Sequence, residues 1–123
     1  MRKKMNKKLI IKLILPIAIL ASGCGIEPQK VVPEPYILGQ ASFHKVCANC
    51  HGADAMGTNK APGLIHSKYS EVNFSNKKVA KTIMNGSSSG AMPAQKNKVT
   101  QEDIKQIIKY LRYAQKDITP ENS

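Results

Sequence analysis

The feature that most constrains how this chain can fold is the run Cys47, Ala48, Asn49, Cys50 and His51, which has the pattern Cys-x-x-Cys-His. Two thiols separated by two residues, with an imidazole directly after the second, form the attachment signature of a c-type haem. One turn of chain lets each sulfur bond to one haem vinyl group while the next side chain reaches the iron. A fold built on this motif must therefore wrap a large, flat, apolar ring.

Two other interpretations of a Cys-x-x-Cys pair are a thioredoxin-like redox motif and half of a zinc site. A thioredoxin motif requires a preceding strand in a βαβ unit, whereas residues 38–46 have the pattern of a helix. A zinc site requires a second pair of ligands, and the only cysteine left for it is Cys24. The sequence therefore favours haem attachment over both.

Residues 1–23 have the pattern of an export signal. Positions 1–8 carry five basic residues and positions 9–21 are almost wholly apolar, which are the charged and hydrophobic regions of such a signal. The apolar run is shorter than the roughly 20 residues that a transmembrane helix needs. It ends in small residues followed by Cys24, which resembles the lipobox where bacterial lipoproteins are cleaved and acylated.

The number of cysteines supports lipidation of Cys24. The chain has three cysteines, and an odd number in an exported protein leaves a reactive thiol or an intermolecular bridge. Thioethers at Cys47 and Cys50 together with an acylated Cys24 account for all three. Residues 24–35 contain three prolines and no helical period, so we expect a lipidated, semi-extended tether near a membrane. Ordinary signal cleavage with a free Cys24 is the alternative.

The charge of the chain depends on whether the export signal is counted. Without residues 1–23 the chain carries 13 Lys and Arg against 8 Asp and Glu, a formal charge of +5 rather than +11. An exported chain without a basic motif interleaved with aromatic residues is not expected to bind nucleic acid. The excess of positive charge favours electrostatic steering toward a redox protein with an acidic docking surface. The alternative is that these charges are only solvated and steer no partner. The lysines expected to contribute most are Lys77, Lys78, Lys81, Lys96 and Lys98.

Residues 36–117 are predicted to form an all-α domain, with a polar tail at residues 118–123. The chain has two Phe, four Tyr and no Trp, which is a small apolar inventory for a core. A domain of this size usually needs a staple, a metal or a cofactor. A covalently held porphyrin would supply the missing core.

The residues leading into the motif predict the first helix. Gly39 within this helix costs about 1 kcal/mol relative to Ala, which a close crossing with another helix would justify. His44 is expected at the surface and directed away from the iron. The positions expected to share one apolar face are Leu38, Phe43, Val46 and Cys47.

Two further helices are predicted, and no strand pattern competes with them. Thr100 followed by Asp103 resembles a capping box, and the helix after it runs to about Gln115 with Lys and Arg mainly on its outer side. A shorter helix covers residues 77–85 and ends at Gly86 in a left-handed cap. The longer helix places Tyr110 where it could cover Gly39, and its apolar stripe is Ile104, Ile107, Ile108 and Leu111.

With these features the chain resembles the small class I c-type cytochromes of bacteria. The resemblance implies a small cytochrome c fold, in which the N- and C-terminal helices cross beside one covalently bound haem c. It also implies that His51 and Met92 bind iron from opposite faces and that the Pro62 carbonyl accepts the second N–H of His51. The matched features are the first helix with Gly39, the attachment motif, the loop at 61–64, the Asn85-Gly86 turn, the Met92-Pro93 pair and the last helix.

The positions of the methionines favour Met92 as the sixth ligand independently of this resemblance. Met56 follows His51 by five residues, which is too close to reach the opposite face of the ring. Met84 lies on the apolar stripe of a short helix, where packing is the ordinary role of methionine. Met92 follows His51 by 41 residues on a glycine-rich loop. Ligation by His66 is the alternative.

An iron with protein ligands on both faces has no open site for a substrate. The sequence therefore predicts a membrane-tethered carrier of single electrons, without enzymatic activity or a small-molecule substrate. We expect it to face the periplasm or the outer side of the cytoplasmic membrane. A thioether ligand favours reduced iron and raises the potential. The alternatives are a haem enzyme or gas-binding sensor with an open sixth site, and a fixed haem subunit of a larger redox complex.

Overall fold

A computed structural model describes residues 25–116 and 118. The predicted export signal at residues 1–23, Cys24, and the predicted polar tail at residues 118–123 except its first residue lie outside the described part. Within the described residues the chain is helical and contains no strand, which confirms the all-α prediction. None of the described helices combines the length and the apolar character required to cross a bilayer. The α-helices are α1 (Glu34–Val46), α2 (Ala48–His51), α3 (Asn76–Asn85) and α4 (Gln101–Ala114), with 3-10 turns at Ala53–Ala55 and Ser67–Tyr69.

Helix α1 begins directly after Pro33 and carries Pro35 in its first turn, where a missing N–H costs no helical hydrogen bond. Phe43 is fully buried on this helix. The prediction that Leu38 shares this face is wrong, because Leu38 is 68% exposed. Five helical positions separate the two residues, which places them about 140° apart around the helix axis. The helix also buries His44, so the expectation of a surface histidine is wrong as well.

Helices α1 and α4 cross at Gly39, as the sequence predicts. A Cβ atom at this position would lie 2.7 Å from Tyr110 Cβ and even closer to the Gln106 carbonyl oxygen. Only a glycine allows the two backbones to approach this closely. The Phe43 and Tyr110 rings pack beside the crossing with their centroids 5.6 Å apart, and this contact forms the centre of the core.

The predicted capping box at the start of α4 is present. The Thr100 hydroxyl accepts the Asp103 N–H, and the Asp103 carboxylate accepts the Thr100 N–H at 2.8 Å. Of the predicted apolar stripe, Ile104, Ile107 and Leu111 are buried, and Ile108 is half-buried.

Arg112 does not lie on the solvent side of α4 as predicted. Its guanidinium donates to the carbonyl oxygens of Tyr69 and Phe74 and to the Asn76 side chain, at 2.6 to 2.8 Å. Burial lowers the pKa of Arg112 below its ordinary value. The side chain therefore ties the segment between the second 3-10 turn and α3 to the last helix.

Helix α3 starts one residue earlier than predicted and packs against α4 through the buried Ile83. Its end differs from the predicted left-handed cap, since Gly86 has φ 85° and ψ 173°. A Cβ at Gly86 would lie 2.6 Å from the Met92 carbonyl oxygen. The glycine therefore lets the loop that carries Met92 fold back closely onto the end of α3.

The predicted tether comprises residues 24–35, and its second half packs against the domain. The Gln29 N–H donates to Asp54 Oδ2 at 2.9 Å, and the Lys30 carbonyl oxygen accepts Gln40 Nε2 at 2.7 Å. Val32 is buried in the core cluster. The folded part of the chain thus begins at Gln29 rather than at residue 36, because buried polar groups of the domain pair with this backbone.

Candidate haem site

The attachment motif forms a turn of helix directly after α1. Cys47 ends α1, and its carbonyl oxygen accepts the N–H groups of Cys50 and His51 at 3.1 and 2.9 Å. Cys47 is half-buried and Cys50 exposed, and neither forms a disulfide. Ala48, which lies between the two cysteines in the sequence, is fully buried and anchors the turn in the core. The motif thus has both thiols free and held on one short helical turn.

Burial raises the pKa of the Cys47 thiol to about 12, and the neighbouring Cys50 adds to this effect. A thioredoxin-type cysteine needs the opposite, because its nucleophilic thiolate depends on a lowered pKa. The thiol of Cys47 is therefore protonated at neutral pH in the polypeptide alone. This environment does not fit the thioredoxin interpretation of the motif.

The His51 ring is buried, and one hydrogen bond fixes its tautomer. Nδ1 lies 2.8 Å from the Pro62 carbonyl oxygen. A carbonyl oxygen only accepts, so Nδ1 must carry a proton, and in the neutral ring Nε2 then holds the lone pair. This is the arrangement that a histidine ligand needs, and the hydrogen bond also holds the plane of the ring.

Close backbone contacts place the Pro62 carbonyl against His51. A Cβ on Gly57 would lie 2.5 Å from the Gly63 nitrogen, and one on Gly63 would lie 2.8 Å from the Met56 carbonyl oxygen. Gly57 also has a φ of 91°, which disfavours other residues. The loop that follows the motif therefore closes on itself through its glycines, with the proline carbonyl directed at the imidazole.

A buried polar cluster lies behind this loop, and sequence reasoning missed it. Asp54 is 4% exposed and accepts the Gln29 N–H at 2.9 Å, with Gln40 Nε2 and the Tyr110 hydroxyl each at 3.5 Å from its other oxygen. His44 Nδ1 donates to the Gln40 carbonyl oxygen, so His44 Nε2 accepts the Asp54 N–H at 3.1 Å. His44 is therefore a structural residue of this cluster.

The only sequence signal for this cluster was the spacing of Gln40 and His44, which places two polar residues on one side of α1. Asp54 could not have been assigned to it. Its backbone has a φ of 52°, which is uncommon for a residue other than glycine, and this conformation decides where its carboxylate lies.

Met92 lies on a different loop, after α3, and is half-buried against the core. Its N–H donates to Ser87 Oγ at 3.0 Å, and its carbonyl oxygen accepts the Ser87 N–H at 2.9 Å. Pro93 follows it at the surface. The structure therefore groups Cys47, Cys50, His51 and Pro62 in one place and holds Met92 on a separate, fixed loop.

The other candidate ligands have different surroundings. The sulfur of Met84 accepts Gln101 Nε2 at 3.5 Å, and Met56 is exposed. His66 is exposed, and its Nδ1 accepts the Lys68 N–H at 3.1 Å as the cap of a 3-10 turn. The groups of the attachment motif that suit a haem c are thus two unbridged thiols and the His51 imidazole, while Met92 stays a prediction for the second ligand.

Comparison with known proteins places these features in a family. Residues 36–111 match the family described as cytochrome c oxidase, cbb3-type, subunit III. The CcoP subunit of the cbb3-type cytochrome c oxidase of Rubrivivax gelatinosus is 30% identical over 79 residues, which cover 64% of this chain and 26% of that protein. The chain thus spans about a quarter of the length of this curated relative.

Two solved structures are similar in fold. A c-type cytochrome superposes with a TM-score of 0.55 at 23% identity, covering 63% of this chain and 98% of its own. Cytochrome cL from the methylotrophic bacterium Methylophaga aminisulfidivorans superposes with a TM-score of 0.55 at 28% identity, covering 72% of this chain and 63% of its own. These likenesses confirm the predicted cytochrome c fold and the covalently bound haem c, for which the spacing of Cys47 and Cys50 is suited.

Proposed function

We propose that this chain, which belongs to the family of the cbb3-type cytochrome c oxidase subunit III, is a carrier of single electrons between redox proteins outside the cytoplasm. The observation that supports this most is the hydrogen bond between His51 Nδ1 and the Pro62 carbonyl oxygen at 2.8 Å. It leaves Nε2 as the one unprotonated ring nitrogen, next to two thiols at haem-attachment spacing. These groups match the needs of a haem c.

When bound, haem c supplies a one-electron couple of its iron. In the proposal His51 would bind the haem iron, and the Pro62 carbonyl holds its ring in place through the Nδ1 proton. Met92 would supply a second protein ligand from a loop that Ser87 and Gly86 fix. Two protein ligands would leave the iron without an open site for substrates or gases.

Rigid support of both ligands is what this activity needs. The loop after the motif is closed by backbone contacts of its glycines, and the Met92 loop is closed by two hydrogen bonds to Ser87. Ligands that are held in one geometry change little between the oxidised and the reduced states. We infer that this rigidity keeps the structural cost of each electron transfer small.

We propose further that residues 1–23 direct export and that Cys24 is acylated, which would keep the domain at a membrane surface. The support is the lipobox-like sequence and the odd number of cysteines. Mass spectrometry of the mature N-terminus tests this directly. An acylated Cys24 is the expected result, and an unmodified N-terminus at another residue would contradict the tether.

A redox titration combined with carbon monoxide binding tests the carrier function. We expect a one-electron Nernst curve at a positive potential and no carbon monoxide complex of the reduced protein. Ready binding of carbon monoxide would show an open sixth site and favour a haem enzyme or a gas sensor instead.

A second candidate function is a fixed haem subunit of a larger redox complex. It is favoured by the relative in Rubrivivax gelatinosus, which is a subunit of an oxidase. Native gel electrophoresis of mildly solubilised membranes separates the two. Migration of the haem stain as a small protein supports a mobile carrier, and migration with a large complex supports the subunit.

A further inference from the structure

The side of α1 that faces away from α4 is unusually apolar for an exposed surface. Leu38 is 68% exposed and Ile37 49%, and Val31 in the preceding segment is 98% exposed. No described residue covers them. We call this surface the outer face of α1, and it consists of Glu34, Ile37, Leu38, Ala41 and Lys45.

The segment before α1 determines how far this face can lie from a lipid anchor. The Gln29 N–H is bound to Asp54, the Lys30 carbonyl to Gln40, and Val32 is buried. If Cys24 is acylated, only residues 25–28 are free to extend. The five steps from Cys24 to Gln29 span at most about 17 Å, whereas a free chain as far as residue 36 would span about 40 Å.

We propose that the outer face of α1 rests on the lipid surface, an inference that depends on the proposed acylation of Cys24. The free tether leaves the domain at Gln29, directly before Lys30, whose carbonyl oxygen accepts Gln40 Nε2 on α1. Helix α3 makes its packing contact with α4. The short tether therefore leads the lipid anchor to the part of the domain formed by α1.

The chemistry of this surface fits lipid. Its exposed apolar side chains are Ile37 and Leu38, and the long stem of Lys45 can extend to the headgroups. Glu34 balances the charge of Lys45, so the outer face is near neutral and anionic lipid alone would attract it weakly. The tether and the burial of apolar side chains are therefore what hold it. This orientation leaves the lysines of α3 free for a redox partner.

Spin labels at two matched positions test this orientation. Ala41→Cys lies on the outer face, and Ser88→Cys lies on the exposed loop after α3. Both replace small, uncharged, exposed residues and leave the apolar side chains unchanged. Each labelled, lipidated, haem-loaded protein is reduced and inserted into vesicles of phosphatidylethanolamine and phosphatidylglycerol whose headgroups carry chelated nickel.

We expect the nickel to speed relaxation of the label at position 41 severalfold more than at position 88. Gln29→Pro removes the N–H that binds Asp54, so it should reduce this difference, whereas Glu27→Pro in the free tether should preserve it. Equal relaxation at both positions, or faster relaxation at position 88, overturns the inference while the lipid anchor stands. Failure to join the vesicles contradicts acylation of Cys24 and removes the inference with it.

Discussion

At the scale of single residues, the buried carboxylate of Asp54 connects three parts of the molecule. The carboxylate accepts hydrogen bonds from the segment before α1, from Gln40 on α1 and from Tyr110 on α4. The backbone N–H of Asp54 donates to His44. Its neighbours in sequence belong to the loop that places Pro62 against His51. Stability of the core and geometry of the candidate site are therefore coupled through this residue.

Tyr110 gives this cluster a measurable pH dependence. Burial and the charge of Asp54 raise the pKa of Tyr110 from 10 to about 12. The unfolded chain releases the phenol proton near pH 10 and the folded protein keeps it, so this contribution to stability is lost as the pH rises from 10 to 12. Tyr110→Phe should flatten the fall of the urea midpoint across this range.

Tyr113→Phe is the matched control for this prediction, because the Tyr113 ring stacks on Tyr36 at a centroid distance of 4.2 Å instead. It should preserve the slope of the wild-type protein. Identical slopes in the wild-type protein and Tyr110→Phe, measured by helical circular dichroism, would contradict the role given to Tyr110.

The sequence predicted the residues of the motif better than their surroundings. Cys47, Cys50 and His51 follow from covalent chemistry, which fixes both residue type and spacing. The role of His44 could not be predicted, because its partner Asp54 is brought to it by backbone conformations that depend on the whole loop. A histidine between two apolar positions has no local signal that separates a buried site from an exposed one.

At the scale of helices, the crossing of α1 and α4 at Gly39 is the main constraint. Gly39→Ala would place a methyl group against the Gln106 backbone, where neither helix can yield without losing the Phe43 and Tyr110 contact. We expect a loss of about 3 kcal/mol in the free energy of unfolding, measured with urea on the haem-loaded protein.

Gly25→Ala is the control for this substitution, since a Cβ there meets no atom within 4 Å. Its effect should stay within about 0.5 kcal/mol. An unchanged urea midpoint for Gly39→Ala would show that the helices do not pack as closely as described.

Arg112 provides a second test at this scale. Arg112→Lys keeps the charge but cannot form the fork of hydrogen bonds to the Tyr69 and Phe74 carbonyls and to Asn76. We expect a loss of about 2 kcal/mol in urea unfolding. Lys105→Arg is the matched control, because this side chain is 75% exposed, and it should change the free energy of unfolding little. Equal effects of the two substitutions would contradict the role of Arg112.

The helices themselves were predictable, because local rules define them. The capping box at Thr100, the apolar stripe of α4 and the glycine at the crossing were all expected from spacing. The packing of residues 29–32 was not, since the three prolines of residues 24–35 indicate an extended chain but not what it contacts. Long-range pairing with Asp54 and Gln40 decides that segment.

At the scale of the whole molecule, the distribution of charge should control how fast electrons are exchanged. Lys77 and Lys81 lie one turn apart on the exposed side of α3. Oxidation of the reduced protein by the anion ferricyanide should slow as salt is added, because screening weakens the attraction. Reversal of both charges, Lys77→Glu with Lys81→Glu, should slow it on the order of tenfold at low salt.

Lys30→Glu serves as the control, since this exposed lysine lies in the segment before α1, which binds Gln40 and not α3. It should have a much smaller effect. A rate that does not respond to salt, or that falls equally in both variants, would show that the α3 lysines do not steer the reaction.

The near-infrared absorption spectrum of the oxidised protein shows whether His51 and Met92 both bind the proposed iron. We expect a weak charge-transfer band from sulfur to ferric iron that persists in Met84→Ala and disappears in Met92→Ala. A spectrum without this band in the wild-type protein, or a band that survives in Met92→Ala, would contradict the proposed ligation.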